Sequence, residues 1–351
     1  MKKFPVYLLL VLLLAACTPA LPAATPTPAG PRTLRVMTHD SFAISEEVLR
    51  AFEAANNANV RIIPSGDSGS ALNKAILAKG NPIADVFYGF DNTFLSRALQ
   101  EEIFDSYQPA GLAQVAVEFK LDPQNYAIPI DYGDVCPNYD IGFFEEKNLP
   151  PPQTLDDLLK PEYRGMLVVQ NPASSSPGLA FMLATIGRFG EDNYLDYWKG
   201  LLANDLLVVN DWESAYYSEF SLHGGTRPVV ISYGSSPPAE VIFAEKPLTQ
   251  APSAVMTTSQ SCFRQVEFAG ILKGGKERDL AEKWIDFMLS TTFQEDMPLQ
   301  MFVFPVNPQA QLPIEFIQYS VIPEQTAQVD PQTINTHREQ WLQDWTNAIL
   351  R

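Results

Sequence analysis

Three short stretches place small polar and acidic side chains where they could do chemistry: His39-Asp40-Ser41, Gly66-Asp67-Ser68-Gly69-Ser70 and Gly89-Phe90-Asp91-Asn92. Asp and Ser are common helix caps, yet three such stretches in succession describe a polar, acidic rim that faces something. A fourth, Asn171 to Leu179 (NPASSSPGL), sets Ser174, Ser175 and Ser176 in a turn before an apolar run. Hydroxyls and free backbone N–H groups at a helix start suit an anionic group, and they equally cap the helix with no ligand. Aromatic side chains recur at comparable places: Tyr132, Trp212, Tyr233, and Phe302 with Phe304. Flat rings beside acids fit a flat, cationic ligand through stacking and cation–π attraction. Trp212, between Asp211 and Glu213, reads as part of a site, whereas Phe304 reads as core. Tyr216 and Tyr217 follow on a predicted helix, where neighbours point about 100° apart, so one of them belongs to the core.

Catalysis is a poor reading of these residues. The sequence holds no G-x-S-x-G elbow, P-loop, H-E-x-x-H or Cys-His pair. Asp156-Asp157 lies at a helix start, where the helix dipole and solvation account for it. His39, His223 and His337 are far apart in sequence, so no metal and no cofactor is expected. With 24 Lys and Arg against 41 Asp and Glu, the net charge is −17, which argues against a nucleic-acid partner. Such acidity is compatible with a cationic ligand and equally with mere solubility.

The elements that must position these residues follow a regular grammar. Thr33–Thr38 alternates as a strand, and SEEVLRAFEAAN (45–56) has helical spacing behind a Ser cap with two acids in its first turn. NVRIIPS, SALNKAILAKG and ADVFYG continue the order strand, helix, strand. This is the βαβαβ pattern of an α/β lobe with a parallel sheet, in which ligands gather at the carboxyl ends of strands. After a β segment at 126–140, a second α/β series contains MLVVQ, the serine turn and its helix, YLDYWKGLLAN, LLVVN, a helix over DWESAYYSEFSL, and PVVISYG. FRQVEFAGIL is a long β segment that leads back to the first lobe. KERDLAEKWIDFMLS is an amphipathic helix with Leu280, Trp284 and Met288 on one stripe. The expected organisation is 33–128 and 266–310 for the first lobe, 129–265 for the second, and a helical segment over 311–351.

The N-terminus carries Lys2 and Lys3, an apolar run from Val6 to Leu14, and Ala15-Ala16-Cys17. That is a secretory signal peptide over 1–16, too short to span a bilayer as a permanent helix. The cysteine after small residues resembles a bacterial lipobox, in which Cys17 becomes the acylated first residue. Residues 17–32, rich in Pro, Ala and Thr, read as a tether. Cys136 and Cys262 remain as an even pair in an oxidising compartment, to be bridged or to stand as two buried thiols.

Taken in order, THDSFA (38–43), ADVFYGFDNTFL (84–95), PIDYGD (129–134), NPASSSPGL (171–179), DWESAY (211–216), SYGSSP (232–237) and FVFPV (302–306) resemble the solute-binding lipoproteins of ABC importers, and among them the thiamine-binding proteins. The resemblance implies a two-lobed type II α/β fold with the ligand in the cleft between the lobes. It implies an extracytoplasmic, lipid-anchored monomer that is no enzyme. Such a protein captures thiamine or a thiamine phosphate by cleft closure and hands it to a permease and its ATPase. It also implies that Ser174, Ser175 and Ser235 meet the phosphate end, that Trp212, Tyr233 and Phe302 line the ring pocket, and that Asp67 lies near the ring system. His39, Asp40, Ser70, Asp91 and Tyr132 complete the expected set of ligand-binding residues. His39, Phe302 and Glu46 replace aromatic residues of the family, which reduces one aromatic wall. The rivals are a receptor for a polyamine or ferric iron, and an anchored hydrolase.

Overall fold

The computed structural model describes residues 30–351; the expected signal peptide, Cys17 and most of the tether lie outside them. Among the described residues eleven strands make one mixed sheet: β1 (Arg32–Thr38), β2 (Ala58–Pro64), β3 (Val86–Asp91), β4 (Phe104–Asp105), β5 (Ile128–Asp140), β6 (Leu167–Gln170), β7 (Leu207–Val209), β8 (Val229–Tyr233), β9 (Ser253–Val255), β10 (Phe263–Leu272) and β11 (Phe304–Pro305). The order is β2-β1-β3-β10-β5-β8-β6-β7, with β4 on β10, and β9 and β11 on β5. Two parallel trios, β2-β1-β3 and β8-β6-β7, therefore flank a central antiparallel pair, β10 and β5. The expected βαβαβ grammar is present in the first trio, and FRQVEFAGIL is β10.

Local sequence explains the elements. Helix Glu46–Asn56 starts at Ser45, whose side chain accepts from the Val48 N–H, and stops at Asn57 in the left-handed region. Helix Arg278–Met288 buries Leu280, Trp284 and Met288, and Trp284 meets Phe52 edge-on at 4.8 Å. In the C-terminal helix Pro331–Ile349, Trp345 packs edge-on against Trp198 at 5.3 Å. Phe304 is core, as expected. One expectation changes: DWESAYYSEFSL forms a short, wide π-type turn over Ser214–Glu219 and then a 3-10 turn, not a continuous helix. The wider turn lets Tyr216 stack on Trp212 at 4.9 Å while Tyr217 stays half exposed.

β5 and β10 each run through both halves of the sheet, and positions 129 and 265 fall inside them. Cys136 on β5 is bonded to Cys262 at the head of β10, with Cα atoms 4.4 Å apart. Beside the disulfide, Asp134 and Arg264 pair across the same strands at 2.7 Å. β10 shifts register against β5 between Glu267 and Phe268, and against β3 between Phe268 and Ala269. A bulge of this kind re-aims a side chain, and here it occurs at the acid of the site.

Candidate functional site

A cavity of about 450 Å³ opens where the two halves meet, a size suited to a small organic molecule. Its floor follows from strand register. Asp91 on β3, Glu267 on β10 and Asp131 on β5 stand directly opposite one another, so three acids form a row across three adjacent strands. Tyr88 Oη lies 2.7 Å from Asp131 Oδ2 and 3.2 Å from Glu267 Oε2, and its one proton serves one of them at a time. Burial, reinforced by the neighbouring charges of Asp131 and Asp91, raises the Glu267 carboxyl well above the usual carboxylate range. Burial also pushes Asp131 and Asp91 each up to about 6. Acids at this spacing hold their protons to higher pH than free carboxyls do, and a positive charge beside them favours release. Of the three, Glu267 lines the cavity.

His39 stands beside this row, with Nε2 3.7 Å from Glu267 Oε1, buried and without a hydrogen-bond partner. Burial lowers its pKa to about 4, so the ring is neutral at physiological pH. Gly89 makes room for it: φ is +99°, and a Cβ there would stand 2.1 Å from His39 Cδ2.

The walls come from both halves. Trp212, stacked on Tyr216, and Tyr217, edge-on to Trp212 at 5.4 Å, line one side. Tyr233, held by a 2.8 Å bond to Gln265, and Phe302 line another. Among the described residues no Lys or Arg lines the cavity, whereas Asp67, Glu213, Glu240 and Glu267 do.

Hydrogen bonds bridge the two halves beside the cavity. Asp67 caps helix Ser68–Leu77 by accepting from the Ser68 N–H at 2.7 Å, and its other oxygen accepts from the Trp212 N–H at 3.2 Å. Ser176 Oγ donates to Ser68 Oγ at 3.2 Å and accepts from Gln265 at 2.7 Å. Gly69 permits this approach, since a Cβ there would stand 2.9 Å from Phe94 and 3.1 Å from the carbonyl oxygens of Ala173 and Ser174. Burial raises Asp67 to about 6, while the nearby Ser175 hydroxyl and the bonds from the Ser68 and Trp212 N–H groups hold it down. Ser175 Oγ, fully buried beside it, falls short of good hydrogen-bond geometry.

Of the residues expected at the site, His39, Asp67, Trp212, Tyr233 and Phe302 line the cavity. Asp40 is exposed and accepts from the Gly66 N–H, shaping the turn after β2. Ser70 lies one turn into the helix and does not line the cavity. Asp91 is sealed behind the floor by Thr93 and Gln265. Tyr132 is packed between Phe119 and Phe304 under Arg264. Ser174 spends its hydroxyl on the Asn210 carbonyl, and Ser235 donates to the Phe302 carbonyl. Ser175 reaches Asp67 and not the open cavity. Strand-end position brought these residues near the cleft, but local caps and core contacts consumed them. Glu267 and Glu240 are not among the expected residues, and Tyr216 stands there only as half of a pair of which one is core; the signal for Glu267 is an acid inside an apolar strand.

The comparisons fit this geometry. Residues 81–318 match the family model described as bacterial extracellular solute-binding protein. The chain belongs to that family. It is 31% identical, over 98% of its own length and 99% of the relative's, to the thiamine-binding periplasmic protein of Salmonella typhimurium. The corresponding Escherichia coli protein is 29% identical over 97% of this chain and 100% of its own. A solved periplasmic thiamin binding protein superposes with a TM-score of 0.81 at 28% identity, over 92% of this chain and 100% of that one. This member of the solute-binding family therefore has the two-lobed α/β fold, in which β5 and β10 connect the lobes.

The rival metal reading has little support in the geometry. Among the described residues no group of three or more His, Cys, Asp or Glu is arranged to hold a metal ion. The adjacent tyrosines do not converge, since their rings stand at 90° and the Tyr216 hydroxyl is bonded to Glu240.

Proposed function

We propose that this chain is the receptor of an ABC importer for thiamine or its phosphates, held outside the cytoplasmic membrane by a lipid on Cys17 and working as a monomer without catalysis. The observation that carries the reading is an aromatic cavity floored by acids and free of lysine and arginine among its lining residues. Such a cavity attracts a flat ring bearing fixed positive charge: rings stack on Trp212 and Tyr216, and Glu267 and Asp67 balance the charge. Full-length similarity to thiamine-binding periplasmic proteins supports the same ligand.

The mechanism is closure. Lobe I (33–128 and 266–310) and lobe II (129–265) move about β5 and β10, and a ligand touching both lobes favours the shut form that the permease and its ATPase accept. The Asp67–Trp212 and Ser68–Ser176 bonds belong to that form. For a phosphorylated ligand, the N-terminus of helix Ser176–Phe189 with Ser175 would take the anionic end, after Asp67 turns aside.

Calorimetry of the mature chain with thiamine, thiamine monophosphate and thiamine pyrophosphate tests this. One-to-one binding of unmodified thiamine is expected, with Ser175→Ala weakening only the phosphorylated forms. No binding of any of the three would end the thiamine reading. Loss of fatty-acid labelling in Cys17→Ser, with retention in the wild type, is the expected result for the anchor.

A further inference from the structure

Glu240, on the short helix Ser236–Ile242, lines the lobe II part of the cavity together with Trp212, Tyr216 and Tyr217. It is an acid that cation capture at the floor leaves unused. Its carboxylate is rigidly held. Tyr216 Oη donates to Oε1 at 2.6 Å, and the Ser253 backbone N–H donates to Oε2 at 3.2 Å. Ser253 Oγ lies 2.8 Å from Oε1 and 2.6 Å from Oε2, but its one proton serves one of them at a time.

Three protein donors thus meet a carboxylate with about four acceptor sites, leaving one to be filled. Among the described residues no lysine or arginine lines the cavity, so the remaining donor comes from water or from the ligand. The tyrosine that fixes the carboxylate is also part of the aromatic wall, stacked on Trp212 with the ring planes 15° apart. The free acceptor therefore borders a surface made for a flat ring.

We propose that Glu240 is a specificity residue that accepts a hydrogen bond from an amino group carried on the ligand's aromatic ring, and so decides which end of the ligand enters lobe II. The assignment rests on the thiamine reading, because thiamine joins a 4-aminopyrimidine to a fixed cation. The amino group goes to Glu240, and the cation goes to Glu267, the member of the acid row that lines the cavity. Burial raises Glu240 to about 7, so above that pH, where it is ionised, a ring bearing an oxo group in place of the amine sets acceptor against acceptor, which a built site rejects far more strongly than a simple loss of contact.

The experiment is calorimetry of the mature chain with thiamine and with its 4-oxo analogue, in wild type, Glu240→Gln and Glu240→Asp. Wild type should favour the amine by about tenfold or more, and Glu240→Gln, able to donate as well as accept, should bring the two ligands within about threefold. Melting without ligand reports whether each variant folds, and Glu240→Asp, which keeps the charge but withdraws it, should lower the ratio if the Gln variant does not fold. An unchanged ratio in folded variants overturns the assignment. Equal binding of both ligands by wild type overturns it too, while the thiamine reading stands. Failure of wild type to bind thiamine brings down both.

Discussion

Glu267 and Asp131 face each other across β10 and β5, joined through Tyr88, at the point where β10 shifts register. The proposed cation floor therefore lies on the two strands that connect the lobes. In that reading ligand charge and lobe movement meet at one place, which is where a receptor that closes on a cation needs them.

The first prediction concerns pH. Asp67, Asp91 and Asp131 each have a carboxyl raised to about 6 by burial, and Glu267 is raised further. Their folded values lie above the unfolded ones, so their contribution to stability is full below about pH 4 and is lost as pH rises through about 6. The unliganded chain should lose melting temperature over that window. Affinity for a cation should run the other way, since the ionised row binds it, rising about tenfold from pH 5 to above pH 6. Titration calorimetry in two buffers of different ionisation heat should show proton release, and Glu267→Gln should flatten the profile. His39 opposes this trend: burial lowers it from 6.5 to about 4, so between those values the unfolded ring binds a proton that the folded ring refuses, and its contribution falls as pH drops; three or more raised acids outweigh it.

Removal of the aromatic wall should weaken binding and leave the fold. Trp212 is half-buried, and its indole donates to Ser232 at 3.0 Å. Trp212→Ala should cost about 1–3 kcal/mol of binding, combining lost stacking and cation–π attraction. Intrinsic fluorescence, quenched by ligand in the wild type, should lose most of its response in the variant.

Gly69→Ala tests closure directly. The added Cβ would press on the carbonyls of Ala173 and Ser174 across the cleft, and on Phe94 within lobe I. Affinity should fall by about tenfold or more, while unliganded melting changes by a few degrees at most, because the Phe94 ring can shift at its far end whereas the Ala173 and Ser174 carbonyls are backbone. Small-angle scattering with ligand should report a more open particle than the wild type.

The disulfide should matter for stability more than for binding. Cys136 and Cys262 are 126 residues apart and both fully buried. Closing so long a loop restricts the unfolded chain, so Cys136→Ser with Cys262→Ser should cost about 2–4 kcal/mol in denaturant unfolding. Affinity should change by less than about threefold, because ladder hydrogen bonds still hold β5 to β10.

Much of this protein was set by local sequence. Alternating runs, the Ser45 cap and the Leu280–Trp284–Met288 stripe determine strands and helices through backbone geometry and burial, which act over a few residues. The βαβαβ order in turn dictates a parallel trio with polar strand ends, and two cysteines in a secreted chain permit their bond. Trp212 was legible because a large ring between two acids has no reason to be core. What only tertiary structure decided is which polar residues stay free. Asp40, Ser174 and Ser235 look like site residues in one dimension, but neighbours distant in sequence spend their hydrogen bonds. Glu267 looks like an acid misplaced in a strand until register sets it opposite Asp91 and Asp131, and Glu240 gains its role from Tyr216 and Ser253. Hydrogen-bond satisfaction and cross-strand pairing are properties of packed partners, so no reading along the chain could supply them.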